Sequence, residues 1–409
     1  MIRFLFTLTF LLLNFYNHAQ LPTRIDVKAA GFSEERLARL SDFWEAEIEA
    51  GKIPSGVCMI IRNGVIAHQA TYGYNNFTEK EKIAFDQIFY VQSMTKPIIS
   101  VAMMMLYEEG HFELGDRVSK YLPQFKNPQV ARFEGEEIVL EDADKPITIA
   151  HLFTHTAGFS HGLRKGTIDQ QYWQKLYGGG LRADPHKTIE ERVNTISTLP
   201  LIGHPGEQWY YSASPDILAL LIEQFSGKTT AEFLQERIFN PLGMTDTGYN
   251  LSAEKDSRVA HLHAFNNGKL ISAPQQTPTS GNTVFGGTHG LFSTAEDYLK
   301  FASMLLNKGE SNGERLLSRK TVELMTINHV GDLKGYGEGF GLGFGVRTDL
   351  AEGRALGTEG QFYWNGMFNT YFFVDPKENM IAVMMTQLFP FNSHYSRMFR
   401  QMVYQAIDD

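Results

Sequence analysis

Strand signals crowd the two ends of this chain and are sparse in its middle, and that distribution constrains the fold more than any single motif. Near the beginning, residues 56–62 (Gly-Val-Cys-Met-Ile-Ile-Arg) read as a strand, and residues 65–71 return as its partner. Between them Asn63-Gly64 is the strongest short hairpin signal, since a two-residue turn of the right twist needs positive φ at both positions. Toward the other end, residues 342–346 read as a short strand, 369–374 alternate, 375–379 form a turn and 380–386 come back as a strand. One sheet built from both ends of the chain accounts for this, with the middle as a second lobe. Helical spacing predicts helices over 33–50, 98–107, 215–225, 231–239, 295–306, 318–325 and 396–407. In the first of these Ser33 is the cap, and Leu37, Leu40, Trp44 and Ile48 share one side. The expectation is an α+β fold: an antiparallel sheet flanked by helices, from about 25–120 and 288–409, with an inserted helical, loop-rich lobe over about 121–287. With 409 residues and 43% of them hydrophobic, the chain can bury a large core.

The first nineteen residues stand apart. Arg3 supplies a positive start, residues 4–15 are mostly apolar, and Ala19 is a small residue at a plausible cleavage point. A secretory signal is expected, leaving a mature chain of 20–409 in the periplasm or outside the cell, with no stable membrane insertion; an uncleaved anchor is the alternative. A formal net charge of -9 and the lack of a basic run argue against nucleic acid as a partner. Cys58 is the single cysteine, so no intrachain disulfide forms.

The chemistry centres on Tyr90-Val91-Gln92-Ser93-Met94-Thr95-Lys96-Pro97, which runs into an apolar segment ending at Gly110. If that segment is a helix, Ser93 and Lys96 lie three residues apart in its first turn and project from one face. A serine hydroxyl is a weak nucleophile until a base takes its proton, and a lysine can be that base once burial lowers its pKa. Ser252 and Lys255 share the same spacing but are flanked by Asn250, Glu254 and Asp256, which reads as a solvated turn. Two further stretches are suggestive. Trp209-Tyr210-Tyr211-Ser212-Ala213 precedes a helix and could place a phenol where it shuttles a proton. Gly360 to Met367 puts a backbone amide beside a strand edge, where it could donate to an oxyanion together with the amide of Ser93.

With these three pieces in order, the sequence resembles the serine β-lactamase and penicillin-binding-protein superfamily, and within it the class C-like serine hydrolases that include the family VIII carboxylesterases. Ser93-Met94-Thr95-Lys96 matches the nucleophile motif, Tyr211-Ser212-Ala213 the tyrosine motif and Trp364-Asn365-Gly366 the third motif; residues 151–158 and 286–297 match supporting stretches. The resemblance implies a β-lactamase/DD-peptidase-like fold in which Ser93 is acylated, Lys96 assists its deprotonation and Tyr211 shuttles the proton. The amides of Ser93 and Met367 would form the oxyanion hole, Trp364, Asn365, Gly366, His161 and Tyr210 would meet substrate, and no metal or cofactor is needed. Two positions depart from the pattern. Ala213 stands where an asparagine is usual, which leaves Tyr210 with Ser212 as an alternative register. Trp364 stands where lysine or histidine is usual, and an indole offers one N–H and an apolar face instead of a cation. That substitution favours a small-molecule ester with an apolar or aromatic acyl or alcohol part over a lactam or D-peptide. β-Lactamase, D-amino-acid peptidase and a non-catalytic ligand sensor are the alternatives.

Gly158-Phe159-Ser160-His161-Gly162 also fits the Gly-x-Ser-x-Gly elbow, but that motif needs a strand before it and a helix after it. Residues 149–156 read as helical and 163–166 do not open an apolar helix. Ser160 is therefore expected to rim the site, and His161 either lines it or is a solvated loop histidine. His151 with His155 and His261 with His263 lack an adjacent acid at metalloprotease spacing, so ordinary hydrogen-bonded roles are expected of them.

Overall fold

The computed structural model describes residues 21–409 except 136, 179, 181–183, 274–276 and 312. The expected leader, 1–19, lies outside the described residues. Eight strands form one sheet in the order Glu338–Phe340, Gly345–Arg347, Phe362–Asn365, Tyr371–Asp375, Met380–Met385, Ser55–Arg62, Val65–Asn76 and Glu81–Lys82. Every neighbouring pair is antiparallel. The two ends of the chain meet at the seam, where Val57 faces Met385 and Arg62 faces Met380. Asn63 and Gly64 both take positive φ, 55° and 72°, as the hairpin requires.

Alternate side chains of the central strands enter two different cores. Cys58 and Ile60, with Ala382 and Met384, pack against Trp44, Tyr395 and Phe399 of the helices Glu34–Glu49 and Ser393–Tyr404. Val57, Met59 and Ile61, with Ile381, Val383 and Met385, point the other way. There they join a larger cluster that includes Leu299 of the helix Ala295–Leu306 and Ile98 of the helix Thr95–Glu108, and that continues to Leu152 and Leu218. All eight residues of Ser55–Arg62 are buried, which is why that strand is apolar at nearly every position and not at every second one. The helix Thr95–Glu108 is buried from Thr95 through Leu106 and packs against the helix Ser214–Ser226, so it is the wall shared by the sheet and the helices. Among the described residues no helix is long and apolar enough to cross a membrane.

Two expectations need correction. The middle of the chain carries hairpins that its sequence disguises: Gln129–Glu134 pairs with Glu137–Asp142, and His263–Asn266 with Lys269–Ser272. The first is mostly exposed and mixes apolar with charged side chains, Phe133, Val139 and Leu140 among the exposed ones, so its pattern does not mark one buried face. The second turns on Asn267-Gly268, the same signal as Asn63-Gly64, with both φ positive. The short strand expected over 342–346 is displaced to Gly345–Arg347. Gly343 has φ +94° and a Cβ there would stand 2.0 Å from Ser100 Oγ, so the backbone at this point is pressed against the helix Thr95–Glu108 and leaves the sheet.

Candidate active site

Ser93 sits in a single 3₁₀ turn, Gln92–Met94, immediately before the helix Thr95–Glu108, so it lies just outside the helix in whose first turn Lys96 sits. Gln92 takes φ +51°, a left-handed conformation uncommon for a residue with a side chain. The neighbouring backbone is tied down: Val91 N–H donates to the Leu291 carbonyl at 3.0 Å, and the Tyr298 hydroxyl donates to the Met94 carbonyl at 2.8 Å. Lys96 Nζ and Ser93 Oγ share a hydrogen bond of 3.1 Å, and Nζ also donates to the Thr288 carbonyl at 2.7 Å. Lys96 is 1% exposed. Burial pushes its amine well below the ordinary lysine range; Asp216 opposes this and Arg192 adds to it. A neutral amine that donates to Thr288 keeps its lone pair for the serine proton.

Tyr211 closes the site from the helical side. Lys96 Nζ lies 4.5 Å from the centre of its ring. His155 meets that ring edge-on at 4.8 Å, His161 stacks on it at 5.2 Å, and Trp364 leans against it at 5.4 Å. The hydroxyl is buried and makes no hydrogen bond of ordinary geometry among the described residues. Burial raises the phenol well above its ordinary range, while Ser93 and Trp364, in that order, favour the ionised form without overcoming it. The Trp364 indole N–H is likewise buried and without a partner among the described residues.

The third side is the strand Phe362–Asn365. Gly366, which follows it, has no room for a side chain: a Cβ would stand 2.5 Å from the Val91 carbonyl oxygen and 2.3 Å from Thr370 Oγ1. This close approach brings the backbone of 366–367 against the turn that carries Ser93. Met367 is half-buried beside Tyr90 and Phe368, and Asn365 is half-buried.

Behind Lys96 lies an ionic network to which sequence reasoning assigned no role. The Thr288 amide donates to Asp216 Oδ1 at 2.7 Å, Arg192 Nε donates to Asp216 Oδ2 at 2.8 Å, and Arg192 Nη1 donates to Asp184 Oδ2 at 2.8 Å. Burial alone would raise the Asp216 carboxyl, but the Arg192 guanidinium outweighs it and holds the group below the usual carboxylate range. Asp216 therefore anchors the segment whose carbonyl holds Lys96. A signal was available: an aspartate directly before the apolar run Ile217 to Ile222 of a buried helix needs a cationic partner.

Of the other residues singled out, several face elsewhere. The Tyr210 hydroxyl donates to Asp169, at 3.1 and 3.0 Å from its two oxygens, and Arg164 lies over its ring, so Tyr211 and not Tyr210 is the phenol beside Lys96. Ser160 is fully buried, donates to Asp169 and accepts from the Gly162 amide at 2.9 Å. His161 is no solvated loop histidine: it is buried between Tyr211 and Tyr177, whose hydroxyl bonds its Nδ1 at 3.2 Å. Trp364 is buried against Tyr211 and Phe340, so its ring supports the phenol and presents little face to a cleft. His151 Nδ1 accepts from the Thr148 amide at the start of its own helix, and His155 Nδ1 accepts from the Ser212 amide. Ser252 and Lys255 do not pair: the first bonds Glu254 and the second Thr245 and Asp246.

A serine bonded to a buried amine, a phenol against that amine and a glycine strand end pressed on the serine's turn form one constellation, and the family model described as Beta-lactamase matches residues 39–406. The chain belongs to the beta-lactamase family. Among its relatives, Protein Rv1367c of Mycobacterium tuberculosis is 30% identical over 371 residues, covering 84% of this chain and 88% of that protein. The lovastatin esterase of Penicillium rubens is 30% identical over 299 residues, covering 70% and 72%. Among solved structures, EstCE1, described as a hydrolase with promiscuous acyltransferase activity, superposes with a TM-score of 0.79 at 24% identity, covering 90% of this chain and 99% of that one. The fold is that of the family, and the chain is a serine hydrolase of the β-lactamase type.

Proposed function

We propose that this serine hydrolase is a carboxylesterase that works through an acyl-enzyme on Ser93. Lys96, neutral because it is buried, takes the hydroxyl proton as Ser93 Oγ attacks the ester carbonyl carbon. The amides of Ser93 and Met367 receive the negative charge that develops on the carbonyl oxygen. The proton passes from Lys96 by way of the Tyr211 hydroxyl to the departing alkoxide, the C–O bond breaks, and an alcohol leaves. Water then repeats the sequence in the other direction and frees the acid.

The observation that carries this reading is the 3.1 Å bond between a buried amine and the Ser93 hydroxyl, with the Tyr211 ring against that amine. Ester over lactam is supported by the indole of Trp364 where related enzymes hold a cation for the substrate carboxylate, and by the similarity to a lovastatin esterase. The test is labelling with a fluorophosphonate, followed by peptide mass mapping and side-by-side turnover of short p-nitrophenyl esters and a chromogenic cephalosporin. The expected result is a single adduct on Ser93, ester turnover that Ser93→Ala abolishes, and a slower cephalosporin. A cephalosporin hydrolysed faster than every ester tried would overturn the ester reading, and a Ser93→Ala protein at full rate would overturn the nucleophile.

A further inference from the structure

Tyr211 lies in the stretch 208–212, which belongs to neither a strand nor a helix and leads into the helix Ser214–Ser226. No regular element therefore fixes the phenol; one residue of another segment holds both of its neighbours. The Tyr210 amide donates to the His155 carbonyl at 2.9 Å, and the Ser212 amide donates to His155 Nδ1 at 3.2 Å. The Ser212 hydroxyl lies 3.0 Å from the same nitrogen. His155 thus grips the chain on either side of Tyr211, and its ring meets the phenol ring edge-on with 4.8 Å between centres.

The backbone at this point would be served more cheaply by a glycine. His155 ends the helix Ile149–Thr154 with φ 56° and ψ 34°, a left-handed conformation in which glycine is the usual residue, although histidine is among the few side chains enriched there. A ring kept at such a position, and 1% exposed, calls for a reason in the contacts it makes. An amide N–H can only donate, so Nδ1 carries the lone pair and the imidazole is the neutral form with its proton on Nε2. Burial, with Lys96 and then His161 adding to it, holds the group well below the ordinary histidine range, in agreement with that form.

Resting on the proposed ester hydrolysis, in which Tyr211 hands a proton to the departing alkoxide, we infer that His155 is a positioning residue for Tyr211: its carbonyl and Nδ1 fix the backbone on both sides of the phenol. The Nδ1 lone pair is taken up by the Ser212 amide, so the imidazole carries no proton in the reaction and acts only through Tyr211. What it sets is a distance. Lys96 Nζ stands 4.5 Å from the centre of the Tyr211 ring, and a proton passes between amine, phenol and leaving group only when each stays within hydrogen-bond reach of the next. An irregular stretch released from His155 would lose that register before it lost its fold, because support of this kind is what holds a reacting group to a fraction of an ångström.

The experiment measures kcat/KM on the full chain for p-nitrophenyl butanoate and phenyl butanoate, which share one acyl group, with Ser93→Ala as the blank. Nitrophenolate leaves without a proton, whereas the more basic phenolate gains from one, so the ratio of the two rates reads proton delivery. Tyr211→Phe sets the ratio reached when delivery is lost. His155→Leu removes the acceptor and keeps bulk, His155→Gly removes it and suits the left-handed backbone, and His155→Asn sets an amide oxygen near the place of Nδ1. In Tyr211→Phe, His155→Leu and His155→Gly the ratio is expected to shift toward the nitrophenyl ester by at least about tenfold, with His155→Asn within about threefold of the parent. A merely structural role would slow both esters together, and a ratio taken within one protein is insensitive to the fraction folded. If neither removal variant folds, His155→Asn decides: the parent ratio upholds the inference and the Tyr211→Phe ratio overturns it. A folded His155→Leu or His155→Gly with the parent ratio overturns the positioning role and leaves the esterase reading standing. An unmoved ratio in Tyr211→Phe overturns the inference together with the proton shuttle and leaves Ser93 as nucleophile. No Ser93-dependent turnover of either ester overturns both readings.

Discussion

Gly366→Ala probes how the strand end and the nucleophile turn are held together. A methyl at this position would stand 2.5 Å from the Val91 carbonyl oxygen, about 0.9 Å inside ordinary van der Waals contact. The other near atom, Thr370 Oγ1 at 2.3 Å, belongs to a side chain and can rotate away. The Val91 carbonyl cannot, because the Met94 amide donates to it at 3.0 Å and the Val91 amide is itself held by Leu291. Relief must come from the strand end, which carries Met367 away from Ser93 by a distance close to the overlap. Misplacement by about 1 Å costs on the order of 10²-fold in rate, or about 2.7 kcal/mol of barrier. Overpacking should cost about 1–3 kcal/mol of stability as well. The assay is kcat and KM for p-nitrophenyl butanoate alongside thermal unfolding, with Gly115→Ala as the control, since no atom lies within 4 Å of a Cβ there. The expected result is a fall in kcat with KM little changed and most of the protein folded. A folded Gly366→Ala enzyme within about threefold of the parent kcat would refute the placement of the Met367 amide in the oxyanion hole.

Three further outcomes are expected. Tyr211→Phe keeps the contacts with His155, His161 and Trp364 and removes a hydroxyl that has no hydrogen-bond partner among the described residues, so stability should change by less than about 1 kcal/mol. Its kcat should fall by roughly 10²–10⁴, and an unchanged kcat would remove the phenol from the mechanism. In the pH profile of kcat/KM, rate should rise with pH as Lys96 loses its proton, with the limb well below the ordinary lysine value of 10.5 because burial depresses its pKa; a limb near 10.5 would contradict a neutral Lys96 base. Buried His263 and half-buried His68 and His289 are each lowered from 6.5 to about 4, chiefly by desolvation, so the unfolded chain binds protons first as pH falls. Stability is fully present above about 6.5 and should drop progressively toward pH 4, and urea midpoints unchanged between pH 7 and pH 4 would contradict this.

What could be read from the residues was local. Ser33 as a cap, Asn63-Gly64 as a turn, and the helices that end at Gly110 and Gly227 depend on neighbours within a turn or two, where backbone sterics and side-chain spacing act directly. The nearness of Ser93 and Lys96 is of the same kind, since about one helical turn separates them even though the serine lies in a 3₁₀ turn just ahead of the helix. The hairpin at 129–142 was hidden because a mostly exposed ladder shows no one-sided apolar alternation, whereas that at 263–272 carried a readable turn signal in Asn267-Gly268 on strands of only four residues each.

The remainder required segments far apart in the chain to meet. Of the adjacent phenols 210 and 211, only packing decides which turns to Lys96 and which to Asp169. Asp216 gave a local sign that it needed a cation, but that the cation is Arg192, and that together they brace the Thr288 segment, came only with folding. The indole at 364 looks like a binding face in isolation and is a buried support for Tyr211 in the folded chain. Spacing along the backbone settles which side chains share a turn; which surfaces are taken out of water, and so which groups lose charge or must find a partner, is settled only when distant segments close on one another.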